Sequence, residues 1–144
     1  MKRLLPLLLL ACSLLGCKQD NEVLFGLAQN YFVRNDVAVA DVPDRIISQE
    51  QLLDFFGMAA VMGVNGLPTD IDFDNTFVIP IVCPETNHLT EIVIDSVMAT
   101  GSEQLTVTGH VTVAPEELSY TMVPFVLLIV DQKYKECDII MNID

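Results

Sequence analysis

Few side chains in this sequence could act as nucleophile, general base or metal ligand, so each can be weighed by its spacing. Cys83 and Cys137 lie in the body of the chain, and His88 and His110 are its only histidines. A thiol nucleophile needs a base within hydrogen-bond reach. His88 follows Cys83 across Pro84, Glu85, Thr86 and Asn87, a turn-like stretch, and His110 sits among threonines on an alternating segment. Neither falls in a recognisable catalytic motif, and ordinary surface histidines account for both. Asp70, Asp72, Asp74 and Asn75 begin like a calcium loop, but that loop needs glycine at its sixth position and a bidentate glutamate at its twelfth. Those positions hold Asn75 and Ile81. Strand alternation with the acids outward explains the spacing better. Zinc spacings, a serine elbow, a phosphate loop and a dinucleotide fingerprint are all missing, and Glu116 and Glu117 read as a solvated turn rather than a glycosidase pair. The expectation is a non-enzymatic protein without cofactor or metal.

Cys83 and Cys137 have a second use. Outside the cytoplasm two such thiols tend to oxidise, and a bridge between them would close a loop of roughly 50 residues, worth about 4 kcal/mol in the chain-entropy model. Spacing cannot show whether their Cα atoms come within bonding range. A Cys83–Cys137 disulfide and two buried free thiols are the alternatives.

The compartment is set by the first residues. Met1, Lys2 and Arg3 precede an apolar run from Leu4 to Leu15, broken only by Pro6 and Ser13 and ending in Gly16 and Cys17. A charged start and a run of about a dozen apolar residues describe an export signal, too short for the roughly 20 residues of a membrane-spanning helix. Leu14, Leu15, Gly16 and Cys17 resemble the bacterial lipobox. That resemblance implies a signal peptide over residues 1–16, acylation of Cys17 as the new first residue, and membrane attachment in the bacterial cell envelope. Because one acyl chain holds only marginally, the several carried by such a cysteine would keep the protein on the membrane. Residues 17–27, beginning Lys18, Gln19, Asp20, Asn21, Glu22, are expected to be the lipidated N-terminus and a polar tether. Lys18 and Asp20 resemble outer-membrane sorting residues, which places the protein on the outer membrane, on a leaflet the sequence does not specify.

The full chain has 7 basic and 20 acidic residues and a formal charge of −13. Removal of Lys2 and Arg3 with the signal makes the rest more acidic still. Such a surface excludes a nucleic-acid partner and favours basic partners or simple solubility.

Residues 28–144 are expected to form a single α+β domain. Ala28 to Val33 favours a strand, and Asn35 to Asp44 is an acidic connection. Ser48 followed by Gln51 looks like a capping box. Leu52, Phe55, Phe56, Ala59 and Met62 then recur at helical spacing and predict a helix ending near Gly63. Gly63, Val64, Asn65, Gly66, Leu67 and Pro68 are the strongest turn signal in the chain. Ile71, Phe73, Phe77, Ile79 and Ile81 share one parity and face a core, with Pro80 marking an edge strand or a bulge. Further strands are predicted at Leu89 to Met98, Gln104 to Val113, Tyr120 to Val130 and Asp138 to Ile143. In the second, Leu105, Val107, Val111 and Val113 alternate inward; in the third, the unbroken run Phe125 to Val130 predicts a central strand covered on both sides. The expected fold is one helix packed on a curved, mainly antiparallel sheet of five to six strands, or on a partly closed barrel.

Two blocks add a family resemblance. Ile46, Ile47, Ser48, Gln49, Glu50, Gln51, Leu52, Leu53, Asp54, Phe55 and Phe56, followed by Ile71, Asp72 and Phe73, resemble the helix entry and strand start of the PrcB C-terminal family, protease-complex subunit domains of exported bacterial proteins. The run Val123 to Lys133 resembles that family's late strand. The resemblance implies a partner, an exported protease, met as an accessory subunit or an inhibitor. It carries over no catalytic residue. A rigid sheet holding one protruding loop suits an inhibitor, because little ordering is needed on binding, and Gly63 to Pro68 has the composition for that loop. The other reading of those residues is a plain helix-to-strand connection. The expectation is therefore a membrane-tethered binding module, with an envelope structural or glycan-binding module that meets another envelope protein as the alternative.

Overall fold

The computed structural model describes residues 20–144. The signal segment and Cys17 lie outside the described residues. Nine strands and one α-helix follow in order: β1 (Asp20–Glu22), β2 (Phe25–Leu27), β3 (Tyr31–Val33), α1 (Gln49–Phe55), β4 (Phe56–Met58), β5 (Thr76–Val82), β6 (Thr86–Thr100), β7 (Gln104–Met122), β8 (Phe125–Asp131) and β9 (Asp138–Ile143). The architecture is α+β and mainly antiparallel, with only β7 and β9 parallel. It is neither one curved sheet nor a closed barrel. Three sheets form, ordered β1-β6-β7-β9, β2-β8-β5 and β3-β4.

The apolar run Phe125 to Val130 explains the division. β8 is the central strand of its sheet, between β2 and β5, and its two faces serve two cores. Leu128 and Val130 join Phe77, Ile79, Val97, Leu105 and Val107 in one core. Leu127 joins Ile46, Leu52, Phe56, Ile71 and Val78 in the other, where the Phe56 and Phe125 rings lie 5.5 Å apart in a tilted pair. β5 is likewise buried on both faces, so the expectation that only its odd positions face inward is incomplete: Val78 and Pro80 are buried too. Pro80 does sit on an edge. Beyond β5 lies only a single bridge, in which the Val78 and Ile46 amides exchange bonds of 2.8 and 2.9 Å. Two positions later the missing N–H of Pro80 points to that same open edge and costs no ladder bond.

β5 continues into β6 and β7 into β8 as one long bent ladder, joined at the bend by the Cys83 N–H on the Pro124 carbonyl at 2.8 Å. Pro124 divides the predicted Tyr120 to Val130 strand, and Tyr120 to Met122 end β7 instead. Near the bend the register slips: Thr86 faces Met122 while Thr90 faces Val113, so β7 takes the longer path. Val113 lies past the limit of the core and is exposed rather than inward.

The helix is shorter than its spacing predicts. Ser48 caps it by accepting the Gln51 N–H at 3.1 Å, and the Gln51 side chain accepts the Ile47 N–H at 2.9 Å. Leu52 and Phe56 are fully buried as expected, but Phe56 turns extended and opens β4, which pairs with β3. The chain breaks there because Gly57 must pass beneath the Phe32 ring, where a Cβ would come within 2.1 Å. The segment expected to be a tether differs too. Residues expected to be a polar linker through 27 are built into two sheets as β1 and β2.

Because adjacent residues of β8 serve different cores, Leu127→Ala and Leu128→Ala should each lower stability by about 2–5 kcal/mol. In urea denaturation both should shift one cooperative transition. A core that melts separately in either variant would contradict this account.

Candidate functional site

Asp54 and Asp70 bracket a stretch with no charged residue, in a chain otherwise dense with acids. Its middle, after β4, is an exposed loop. Met62 is 102% exposed, Val64 95% and Leu67 76%, with Val61 also largely in solvent. Apolar side chains held in water gain nothing from the fold they stand on, and their grouping marks this loop as the candidate interaction surface.

The loop backbone is nonetheless held by hydrogen bonds from outside it. Asn30, itself in the left-handed region at φ 62°, uses both protons of its side-chain amide: Nδ2 donates to the carbonyls of Asn65 and Leu67, each at 2.8 Å. The Asn30 carbonyl accepts the Ala59 N–H at 2.8 Å. Gln29 and Thr69 exchange two further bonds, and the Tyr31 hydroxyl donates to the Thr69 carbonyl at 2.8 Å. Within the loop, Val61 N–H donates to the Gly66 carbonyl at 2.8 Å. Gly66 is buried against Val61, whose carbonyl oxygen lies 1.8 Å from where a Cβ would stand. Only glycine fits. Gly63, at φ 114°, and Asn65, at φ 63°, complete the reversal. Beneath the loop is a cleft of about 610 Å³ lined by Leu27, Gln29, Gly66, Leu67 and Thr69. Of the residues singled out from the sequence, Gly63 to Pro68 thus form one ordered, accessible loop. Asn30, which holds it, gives no sequence signal, because its partners lie more than thirty positions away.

Cys83 and Cys137 are both free thiols, and the disulfide considered for them is not formed. Cys83 bonds to Pro124 at one end of β8, whereas Cys137 follows the turn beyond the other end and donates its Sγ–H to the Ser102 carbonyl at 3.4 Å. Seven residues of strand, about 20 Å, separate those ends. Burial pushes both thiols above the ordinary range, and at Cys137 the nearby Arg45 partly opposes it. Less thiolate means less reactivity.

The histidines are engaged elsewhere. His88 Nδ1 lies 3.1 Å from the Ala114 carbonyl, so it carries the proton there, and His110 Nδ1 lies 3.1 Å from Asp95 Oδ2 on an exposed strand face. The acids that begin like a calcium loop form a turn. Asp72 accepts from the Asp74 N–H at 3.0 Å and from the Asn75 amide at 2.7 Å, which hold its carboxyl below the usual range, the Asn75 bond foremost. Among the described residues no group of three or more His, Cys, Asp or Glu is arranged to hold a metal ion, and no helix is long and apolar enough to cross a membrane.

No protein-family model, curated protein or solved structure matches this chain.

Asn30→Gly keeps the left-handed backbone but removes both amide bonds to the loop. Global stability should fall by about 1–2 kcal/mol, and amide exchange at Gly66 should accelerate, while β8 stays protected. Unchanged exchange at Gly66 would show that the loop holds itself. For the cysteines, residues 18–144 prepared without reductant should carry two alkylatable thiols, Cys83 and Cys137, once denatured, and in the native state Cys137 should react more slowly than Cys83. A mass lower by two hydrogens before reduction would show a bridge.

Proposed function

We propose that this protein is a lipid-anchored component of the bacterial cell envelope, attached through Cys17, and that its domain is a non-enzymatic binding module that meets a protein partner with the loop Val61 to Leu67. The observation that carries this reading is the combination of apolar exposure and a fixed backbone in that loop. Association costs ordering entropy, and a loop already held by Asn30, Gly66 and Thr69 has little left to lose. Its lack of charge also makes it the part of an acidic surface that can enter an apolar groove without stripping water from carboxylates.

An exported protease, met as an accessory subunit or an inhibitor, is the partner we favour. Two features support it. The loop is accessible rather than folded against the sheet, as entry into a cleft requires. The two blocks that resemble the PrcB C-terminal family also converge in space: Ile46, Leu52, Phe56 and Ile71 from the first share one core with Leu127 from the second. One surface favours a second reading, a glycan-binding module. The half-exposed Phe32 ring lies over Gly57, beside Arg34 and Asp36 paired at 2.8 Å, on a cleft of about 590 Å³.

The acylated chain, displayed on vesicles, should retain an exported protease of its host and change that protease's rate on a peptide substrate. Met62→Asp together with Val64→Asp should weaken retention at least tenfold, the loss of about 1.4 kcal/mol or more expected when central apolar anchors are removed. Phe32→Ala should leave it unaltered. If no exported protease is retained or slowed, the protease reading fails; loss of binding to envelope glycans on Phe32→Ala would favour the second reading.

A further inference from the structure

Among the described residues six strands stand at sheet edges, and five of them are blunted. β1, β2, β3 and β4 have three residues each, too few to offer a partner a ladder. β5 is longer, but Pro80 removes a donor from its open side and Ile46 bridges Val78 there. β9 runs six residues along the outside of β7 in an unbroken register. Shortness, proline, charge, bulges and cover are the devices that keep an edge from pairing. Between Asp138 and Asp144, the residues Ile139, Ile140, Met141, Asn142 and Ile143 carry none of them.

The groups this edge presents follow from the ladder on its other side. The Asp138 N–H donates to the Glu103 carbonyl at 2.7 Å and the Asp144 N–H to the Gly109 carbonyl at 3.2 Å, while the Asp144 carbonyl accepts the Val111 N–H at 2.8 Å. Backbone groups alternate sides along a paired strand. The even positions of β9 therefore serve β7, and Ile139, Met141 and Ile143 turn their N–H and C=O groups outward. No hydrogen bond among the described residues reaches those groups. The side chains of Ile139 and Ile143 pack against the core. Met141 lines a cleft of about 320 Å³ with Val39, Val42, Pro43, Pro80 and Val82. A strand laid beside β9 would place a side chain next to Met141 on the same face, over that cleft.

Charge selects the occupant. Antiparallel pairing of two copies about Met141 would set Asp138 of one protomer opposite Asp144 of its partner at both ends of the strand, between chains that each carry a formal charge of −13. Like charges directly opposite destabilise a strand pair. A strand with lysine or arginine at its ends reverses the sign of both contacts. We infer that β9 is a docking edge for an extended segment of another protein, apolar at alternate positions and basic at both ends, which joins the four-stranded sheet beside β9. Main-chain bonds to Ile139, Met141 and Ile143 supply the affinity, and the cleft at Met141 and the two aspartates supply the choice of sequence. This surface uses no residue of the loop Val61 to Leu67 and does not depend on the role proposed for it.

The test follows amide exchange, residue by residue, in the full chain held in nonionic micelles, with the acetylated and amidated peptide Lys-Val-Thr-Val-Thr-Val-Lys as probe. In antiparallel register its valines fall opposite Ile139, Met141 and Ile143 and its lysines opposite Asp138 and Asp144. At saturation the peptide should slow exchange at Ile139, Met141 and Ile143 by about tenfold or more, and leave Ile140 and Asn142, already bonded to β7, unchanged. The same peptide with glutamate at both ends should bind about tenfold more weakly, and Asp138→Lys with Asp144→Lys should reverse that preference. Met141→Pro removes an outward N–H and no bond to β7, so it should abolish the protection at Ile139 and Ile143. If Met141→Pro does not fold, the exchange of charge between peptide and aspartates still decides. Met62→Asp with Val64→Asp should leave the protection in place, which separates this surface from the loop. Outward amides unaffected by the lysine peptide, or slowed equally by both peptides, would overturn the inference. Outward amides already protected in a chain that is dimeric without peptide would overturn it too, by making the occupant a second copy.

Discussion

The pairing of β5 with β8 is the contact on which the rest of this structure depends, because both strands are buried on both faces. A strand with one wet face needs apolar residues only at alternate positions. These two need them nearly everywhere, and Phe77 to Ile81 and Phe125 to Val130 supply them. With two apolar faces to cover, the chain must provide two covering layers. One is the long ladder of β6 and β7, bent back at Cys83 and Pro124 so that Val97, Leu105 and Val107 lie over Leu128 and Val130. The other is α1 with the β3-β4 pair, which brings Leu52 and Phe56 onto Leu127. Burying a large apolar side chain contributes about 1.5–3 kcal/mol, so each face of β8 holds its layer independently of helix propensity, which a seven-residue helix could not supply.

That division also explains where surface chemistry is possible. The acids of the chain are spread over exposed strand faces and turns, and the cations among the described residues are mostly taken up locally: Arg34 by Asp36, Arg45 by Asp44, Lys135 by Glu136. The stretch between Asp54 and Asp70 stands apart because it is uncharged, apolar at its tip and yet ordered. Ordering comes from outside the loop, through Gln29 and Asn30, which follow β2 directly in the chain. A loop held in this way keeps its shape while its side chains remain available, which links the packing of the domain to the binding function proposed for it.

Much of this was legible in the residues themselves. The unbroken apolar run at Phe125 to Val130 requires cover on both sides, whatever the fold. Ser48 and Gln51 announce a helix start, Pro80 an open edge, and Gly63 to Pro68 a turn, because capping, a missing N–H and positive φ are local properties. The pattern from Lys2 to Cys17, on which the proposed export and lipidation rest, is equally local. Other features depend on partners remote in sequence. Leu52 to Met62 keeps helical spacing, yet the helix stops at Phe55 because Tyr31 to Val33 offers a strand to pair with and Phe32 closes over Gly57. Whether Cys83 and Cys137 could bond was set by their attachment to opposite ends of β8, and whether residues 20–27 were tether or strand was set by open edges on β6 and β8. Asn30 became the clasp of the loop only once the fold delivered it to Asn65 and Leu67. Sequence determined which segments must be buried, capped or turned, since those demands are met within a few residues; tertiary structure alone decided which segments meet, since pairing and packing are settled by whichever distant surface is left uncovered.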